Sequence, residues 1–476
     1  MRNKHLNKPL KNDARAFSQS FVSSSSHESK NGKNTSKYVG FTCTVKSKKI
    51  SSKGNSMGII SFLKNIASIP VATIAQPLIR TIDVLRGLAL FGILYAHMIF
   101  WYSGGPLPEK IYQTYIDIPN GIVLGLHMLF FNSKFFSLFS FLFGLSFYLP
   151  IKSLVAKHEN AELRFAWRLA ILGVIGLLHH AFWRADILTI YVPLGFLLLF
   201  ARNLSNKATF IMAAIFILNV PTKIIELISI FVQGTPQFLP DTFVADGAKY
   251  FFVMNEGTFS QVITHNVYAI KEKFEFQLSS GRLFITFGFF LLGMLVGRLQ
   301  WFDDIEKSYP FIKKIWKSTS LLIIALAVAG VALGVSIYAL SIDVKNAPWT
   351  RWLGGSLADL FNAAMTIFYM TSIALLTLKP KWSARLAPLS YIGKMALTSY
   401  LTQSIFGVLI FFQFGAGLFM DTSPAMNVLV DCGIFGLQIV FCKFWLKHFN
   451  YGPVEWLWRS ATYLKWQGLV KQKGLV

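Results

Sequence analysis

Apolar residues gather along this chain in about ten segments that are separated by short polar or charged stretches. Most segments hold close to twenty residues with few charges, which is the length that an α-helix needs to cross a bilayer. The pattern predicts an all-α protein, a polytopic transmembrane helical bundle with about ten spans. The predicted spans are residues 84–102, 122–150, 166–183, 187–201, 208–232, 282–298, 320–341, 353–378, 396–419 and 426–446.

The second apolar segment, 122–150, is too long for one regular span. We expect an interfacial turn around His127, followed by a span that begins near residue 133. Lys134 would then snorkel at the outer edge of the membrane, with its ammonium group among the headgroups. In the fourth span, the sequence Pro-Leu-Gly at 193–195 is expected to bend the helix.

Basic residues are concentrated in alternate loops, which indicates how the spans are oriented. The basic regions are 152–168, 202–207, 298–317, 379–394 and the tail after 446. The neutral or acidic loops are 103–121, 184–186, 233–281, 342–352 and 420–425. Cytoplasmic loops carry the excess of lysine and arginine, so this alternation predicts a multi-pass protein of the cell (inner) membrane with both termini cytoplasmic. The external loop 233–281 is expected to contain short amphipathic helices.

The net charge of +24 would ordinarily suggest a nucleic-acid partner, but the distribution of the charge argues against it. The chain is 54% hydrophobic and only 14% charged, and its basic residues lie mostly in an N-terminal tail and in short loops. We therefore expect membrane lipid as a partner and no nucleic acid. The three cysteines and nine histidines form no CxxC or HExxH motif, so neither a disulfide framework nor a metal site is predicted.

Composition divides the chain into three parts. Residues 1–79 form a basic tail, rich in Ser, Lys and Asn and expected to be disordered, which ends in a mildly amphipathic segment before the first span. Residues 80–465 form the multi-span membrane domain, and 466–476 form a short cytoplasmic tail. The N-terminal composition resembles an organellar transit peptide, but the simpler expectation is that Met57 is the true start.

The first span carries Asp83, Arg86 and His97 in an otherwise apolar helix. Eleven residues separate Arg86 from His97, which brings the helix back to within about 20° of the same face and about 16 Å along its axis. An ionisable group at that depth is costly in lipid, so it is a candidate for function. His97 is the predicted catalytic residue, as a general base or a nucleophile. The alternative is a neutral histidine that hydrogen-bonds to a neighbouring helix.

Further polar residues fall at the two ends of the predicted spans. Arg86, Asp83 and Lys394 lie at the cytoplasmic end and are predicted to bind a donor substrate, because a guanidinium group suits phosphate binding. The alternatives are an Arg86–Asp83 pair at the interface and a simple cationic anchor at Lys394. The residues toward the outer end predict a polar acceptor pocket, in which Asp186 would orient an imidazole, or else scattered interhelical hydrogen bonds. They are His127, His179, His180, Asp186, Asp359 and Asp431.

Five motifs resemble, in the same order, those of the YeiB-like family, a bacterial membrane group classed as domain of unknown function 418. The resemblance covers about residues 80–465 and implies an integral membrane protein rather than a particular activity. The motifs are RxxDVLRGLALFGIL at 80–94, KFFSLFSFLFGLSF at 134–147, GLLHHAFWRADILTIY at 176–191, IGKMALTSYLTQS at 392–404 and GPVEWLWR at 452–459.

The opening DVLRGLA is also similar, more distantly, to the acyltransferase-3 and heparan-glucosaminide acetyltransferase groups, which acylate sugars. In the acyltransferase-3 group, D-x-x-R is commonly followed by a histidine eleven residues after the arginine, as at Asp83, Arg86 and His97. The YeiB-like family more often has Asn at the position of His97. This resemblance implies an acyltransferase with acyl-CoA as co-substrate, no permanently bound cofactor and a small hydroxylated or sugar acceptor.

A transporter or exporter of a small polar or acylated molecule is the alternative function, since the same ionisable residues can line a pathway or relay protons. A membrane scaffold is a third interpretation. The chain contains no P-loop for a nucleotide donor, whereas the spacing in the first span favours the acyltransferase. The sequence does not determine the oligomeric state.

Overall fold

In the computed structural model, the described residues are 72–104, 114–155, 161–233, 241–302, 304–344 and 346–471. These residues are almost entirely helical and contain no β-strand, apart from an isolated bridge between Phe449 and Val470. The predicted all-α class is therefore confirmed. The predicted N-terminal tail lies outside the described residues up to residue 71, and so does the end of the chain from residue 472.

Seventeen α-helices and two π-helical turns make up the described part of the chain. The first nine helices are α1 (Ala72–Ala96), α2 (Ile118–Leu126), α3 (Phe135–Val155), α4 (Ala161–Phe182), α5 (Leu188–Ala201), α6 (Asn206–Ile217), α7 (Val220–Gln233), α8 (Asp241–Glu256) and α9 (Phe259–Tyr268). The others are α10 (Ile270–Ser279), α11 (Arg282–Arg298), α12 (Ile305–Ala339), α13 (Pro348–Thr377), α14 (Pro380–Lys394), α15 (Ala396–Phe411), α16 (Pro424–His448) and α17 (Pro453–Tyr463). The π-turns are His97–Trp101, which continues α1, and His127–Phe131, which continues α2.

Six helical segments of the described chain are long and apolar enough to cross a membrane, or up to nine if each bent helix pair counts as one span. The bent pairs are α6–α7 (45°), α10–α11 (73°) and α14–α15 (81°). Nine of the ten predicted spans coincide with these elements, and the fourth coincides with the shorter apolar helix α5. The predicted polytopic bundle is confirmed, and its count of ten is approximate.

The second predicted span is interrupted as expected. The π-turn begins at His127, Ser133 adopts a left-handed φ of 63°, and α3 begins at Phe135. Lys134 differs from the prediction, because its side chain is buried and its Nζ donates to the Met128 carbonyl at 2.8 Å. It therefore satisfies a helix end inside the protein instead of snorkelling.

Left-handed residues also mark the breaks in two bent pairs. Asn219 (φ 54°) separates α6 from α7, and Gly281 (φ 72°) separates α10 from α11. These two residues touch, and a Cβ at Gly281 would collide with the Asn219 side chain, so glycine is required there. The predicted external loop 233–281 does contain short helices, namely α8, α9 and α10.

The predicted basic loop 379–394 is instead helix α14, which packs along α1. The close approach depends on glycine, because a Cβ at Gly393 would collide with the Asp83 carbonyl oxygen and one at Gly87 with the Leu389 carbonyl oxygen. Its charges indicated a loop, but the helix uses its small residues to approach α1. Helix α1 thus lies in the packed core, whereas α12 packs mainly against α13.

Candidate functional site

Asp83 and Arg86, near the middle of α1, lie in a hydrogen-bond and packing network that joins three helices. Arg86 donates to Asp83 at 2.9 Å and to the Ser146 hydroxyl of α3 at 2.6 Å. Gly393 of α14 packs on the Asp83 backbone, which brings the exposed Lys394 into electrostatic contact with the Asp83 carboxyl. The three residues predicted to bind a donor therefore lie together.

Arg86 and Lys394 border a cavity of about 250 Å³ between α1, α3, α4 and α15. Arg86, Arg168 and Lys394 supply its cationic side chains, and the Arg168 guanidinium lies 4.1 Å from the Trp458 ring centroid. Tyr400 and the first turn of α5 also border the cavity. Most of the wall is apolar and includes Phe139, Leu142, Phe143, Phe147, Leu169 and Leu172.

Glu455 of α17 also borders the cavity, but its carboxylate is already engaged. It accepts hydrogen bonds from the backbone N–H groups of Leu397 and Thr398, at 2.6 and 2.9 Å, and from the Thr398 hydroxyl. Burial raises the pKa of Glu455 above its ordinary value, although these hydrogen bonds oppose the shift. Since Glu455 caps the α15 N-terminus, the arginines and Lys394 remain as the groups suited to an incoming anion.

A buried histidine–carboxylate pair lies beyond the Tyr400 end of the cavity. His179 Nδ1 lies 2.7 Å from Asp186 Oδ1, and Asp186 Oδ2 accepts from the Thr189 backbone N–H at 2.8 Å. The His179 ring centroid is 5.0 Å from that of Tyr400. A proton on Nδ1, shared with the carboxylate, leaves the lone pair on Nε2, and that nitrogen has no hydrogen-bond partner among the described residues. The pair has the arrangement of an oriented general base.

Asp186 lies in the turn between α4 and α5, where its ionisation is balanced by its neighbours. Burial raises the pKa of the carboxyl, but Lys273 and His179 together outweigh burial and lower the pKa to about 2. An ionised Asp186 holds the imidazole in one tautomer, which is what general-base chemistry at His179 requires.

Helix α10 contributes a lysine that no sequence pattern marked as a candidate. Lys273 is buried, and its Nζ donates to the Thr189 hydroxyl at 2.7 Å and lies 3.3 Å from His180 Nδ1 and 3.8 Å from Asp186 Oδ2. Lys273 comes from the predicted external loop 233–281, where a lysine side chain is ordinarily exposed to solvent. Arg168, which lies in the predicted basic region 152–168, and Glu455 also border the cavity.

His97, the predicted catalytic residue, lies beside this cluster. Its ring meets the Trp183 ring edge-on at 5.5 Å, and it is close enough to His179 for an electrostatic interaction. Trp183 in turn stacks on Tyr102 at 4.5 Å. The structure thus brings His97, His179, His180 and Asp186 into one region.

The other predicted acceptor residues lie elsewhere. His127 stacks on Tyr95 with the centroids 6.0 Å apart. Asp431 of α16 is buried and interacts electrostatically with Tyr95. Asp359 of α13 accepts from the Asn219 amide at 3.0 Å and lies beside Lys223. One outer pocket therefore does not collect all six predicted residues.

The fold and this site define a class: a polytopic, all-helical membrane protein with an ionisable cluster among its helices. Residues 296–465 match the family described as "Protein of unknown function (DUF418)". The predicted resemblance to the YeiB-like family is confirmed by this match and by the similarity to YeiB.

Similarity to individual relatives extends over most of the chain. The uncharacterized protein YxaH of Bacillus subtilis (strain 168) is 28% identical over 417 residues, which cover 84% of this chain and 98% of that protein. A 39.9 kDa protein of the amylase 3' region of Bacillus acidopullulyticus is 25% identical, covering 81% and 94%. YeiB of Escherichia coli (strain K12) is 23% identical, covering 80% and 95%. No solved structure gives a significant match.

Proposed function

We propose that this protein is an integral-membrane acyltransferase, which moves an acyl group from a cytoplasmic acyl-CoA to a hydroxylated or sugar acceptor on the outer side. One observation carries the proposal: a cavity with cationic side chains at one end leads to Tyr400, against which the His179–Asp186 pair lies. The cavity thus offers a binding site for the donor anion, and the oriented base lies beyond Tyr400.

The donor end suits the phosphates of CoA. Arg86, Arg168 and Lys394 provide two planar guanidinium groups and an ammonium group at the border of the cavity. Arg168 and His179 both lie on α4, eleven residues apart, which corresponds to about 16 Å along the helix axis. An extended pantetheine arm spans a distance of this order, so a short acyl group would reach the Tyr400 end.

The base end suits acyl transfer to a hydroxyl. His179 Nε2 removes the acceptor proton while the acceptor oxygen attacks the thioester carbonyl carbon. A C–O bond forms, the C–S bond breaks, and the departing CoA thiolate receives the proton from the imidazolium. Asp186 orients the imidazole and stabilises its charged form. His97, next to His179, is proposed as a second imidazole that contacts the acceptor.

The test is transfer of a radiolabelled acetyl group from acetyl-CoA by the purified chain in lipid nanodiscs, with sugars and glycolipids as acceptors. His179→Gln and Asp186→Asn should each lower kcat by about 10²- to 10⁴-fold, because a positioned base contributes that much. His97→Gln tests the sequence-based assignment in parallel. His448→Gln, at an exposed histidine of α16, is the matched control and should retain full activity.

Arg86→Gln should raise the KM for acetyl-CoA more than it lowers kcat, whereas Arg351→Gln on the exposed start of α13 should do neither. Full activity of His179→Gln would contradict the assignment of the base. Absence of both CoA binding and transfer in the wild type would contradict the acyltransferase itself.

A transporter is the second candidate, favoured by the contacts that link Asp186, His179, Lys273 and His180. A connected row of ionisable groups among helices is suited to relaying protons. Proton-driven solute movement in vesicles, without acyl transfer, would support this function instead.

We also propose that the protein lies in the cell membrane with its basic loops and both termini in the cytoplasm. Loops rich in lysine and arginine alternate with loops that are neutral or acidic, and basic loops are typical of the cytoplasmic side. A cysteine introduced at Glu256, the last residue of α8, in a chain without its natural cysteines, should react with an impermeant maleimide from outside. A reporter fused to the C-terminus should be active only in the cytoplasm. Reversed results would contradict this orientation.

A further inference from the structure

A groove of about 490 Å³ runs along α4 and α17, and Trp458 lines both this groove and the cavity that is bordered by Arg86 and Lys394, here called the donor cavity. Its apolar lining includes Ile171, Ile175, Leu457, Ala461, Leu464 and Trp466. Three of these side chains are well exposed: Leu457 at 49%, Leu464 at 79% and Trp466 at 72%. So much exposed apolar surface beside a helix that crosses the membrane requires an apolar covering.

Hydrogen bonds fix the walls of the groove. Trp167 of α4 donates to the Ala461 carbonyl at 3.2 Å, and Trp458 of α17 donates to the Arg168 carbonyl at 3.0 Å. Trp466 stacks on Trp456 with the centroids 5.1 Å apart, which turns the chain after α17 back along the groove. The groove is therefore a property of the packed helices rather than of one adaptable side chain.

Positive charge gathers at the end of α17. Lys465 lines the groove, and the guanidinium groups of Arg164 and Arg459 each lie 5.4 Å from the Tyr463 ring centroid. Among the described residues, two nearby acids are already engaged, since Glu162 pairs with Arg202 and Glu455 caps α15. The local charge thus favours an anionic occupant.

We infer that this groove binds an anionic phospholipid, with an acyl chain along α4 and α17 and the phosphate beside Lys465. The apolar surface of the groove continues on α4 into Leu163, Val174 and Leu178, exposed at 70%, 58% and 69%. That continuity argues for bilayer lipid rather than a protein partner. The lipid would lie one side chain, Trp458, from the donor cavity, but the inference does not depend on acyl transfer.

The test is lipid retention by the full chain in mild detergent, measured by native mass spectrometry after addition of phosphatidylglycerol or phosphatidylcholine. The wild type should retain phosphatidylglycerol at least about fivefold better, because a basic residue near an anionic headgroup contributes about 1 kcal/mol. Lys465→Glu should abolish the preference, whereas Lys447→Glu, at an exposed lysine at the end of α16, should keep it.

Ala461→Trp fills the groove and should reduce retention of both lipids. Ile175→Trp, on the opposite wall, should do the same if the first variant folds poorly, and the thermal unfolding of each variant identifies which ones are folded. Equal retention of the two lipids by the wild type would overturn the inference. Wild-type retention by the folded groove-filling variants would also overturn it.

Discussion

Helices α1 and α12 are both long, apolar spans, yet they occupy opposite situations. In the segment 81–101, 61% of an apolar stretch of 18 residues is buried inside the protein, whereas in α12 the buried share of such a stretch is 6%. The buried span carries Asp83, Arg86 and His97, and the membrane-facing part of α12 carries no charge. In a membrane protein the more polar span is the central one, because buried ionisable groups need protein partners while lipid accepts a purely apolar helix.

The contrast between α1 and α12 is tested most severely by enlarging one glycine at each helix. Gly393→Leu should prevent the α1–α14 packing and leave little folded protein, because the new side chain would collide with the Asp83 backbone. Gly330→Leu on α12 should be tolerated, since no atom of another described helix lies within 4 Å of a Cβ there. Fluorescence-detected gel filtration measures the folded fraction, and similar losses in the two variants would contradict the contrast.

A milder test removes apolar volume. Leu90 of α1 is fully buried, and Leu90→Ala should cost about 2–5 kcal/mol of unfolding free energy. Val331 of α12 is 67% exposed, and Val331→Ala should cost less than about 0.5 kcal/mol. Thermal unfolding in one detergent measures both, and equal shifts in Tm would mean that α12 is covered by another part of the chain.

The smallest expected effect is the dependence of stability on pH. The folded pKa of Asp186 is lowered to about 2 from 3.8, so its ionised form stabilises the fold above pH 3.8, and that contribution is lost as the pH falls through about 2. The folded pKa of Glu455 is raised above 4.5, so its contribution has the opposite sign, and stability declines as the pH rises from 4.5 through the folded pKa.

Asp186→Asn should remove the loss on the acid side, and Glu455→Gln should remove the decline at higher pH. Glu306→Gln at the exposed start of α12 is the control, and it should leave the pH profile unchanged. Unfolding midpoints measured across the pH range decide between these outcomes, and an unchanged Asp186→Asn profile would show that the carboxyl is not stabilised by its neighbours.

Hydrophobic pattern predicted the spans because lipid imposes one requirement on every crossing segment. It also predicted the break before α3, where the chain is too long for one span. It did not predict α14, whose lysines and arginine suggested a loop, because the glycine contacts with α1 are tertiary. Lys273 could not be selected either, since nothing local distinguishes a lysine that folds inward from one in solvent.

The candidate site was predicted in part for a related reason. The spacing of Asp83, Arg86 and His97 fixes one helical face, and the structure does gather partners around that face. Depth alone suggested that Asp359 and Asp431 join His179, but depth does not determine lateral position in a bundle. The His179–Asp186 pair depends on the turn between α4 and α5, whose geometry the sequence pattern leaves open.

The two π-turns have a consequence for how this chain can change over evolution. The carbonyl of His97 accepts from the N–H of Tyr102, and that of His127 from Asn132, so each turn holds one residue more than an α-helical turn. Five residues of a π-turn go about as far around the helix axis as four residues of an α-helix, so deleting one residue between 98 and 101 would restore an ordinary helix and leave the following residues on nearly the same face. At these positions a single-codon deletion is therefore absorbed by the turn, and Tyr102 would keep its stacking on Trp183 while the span is hardly shortened.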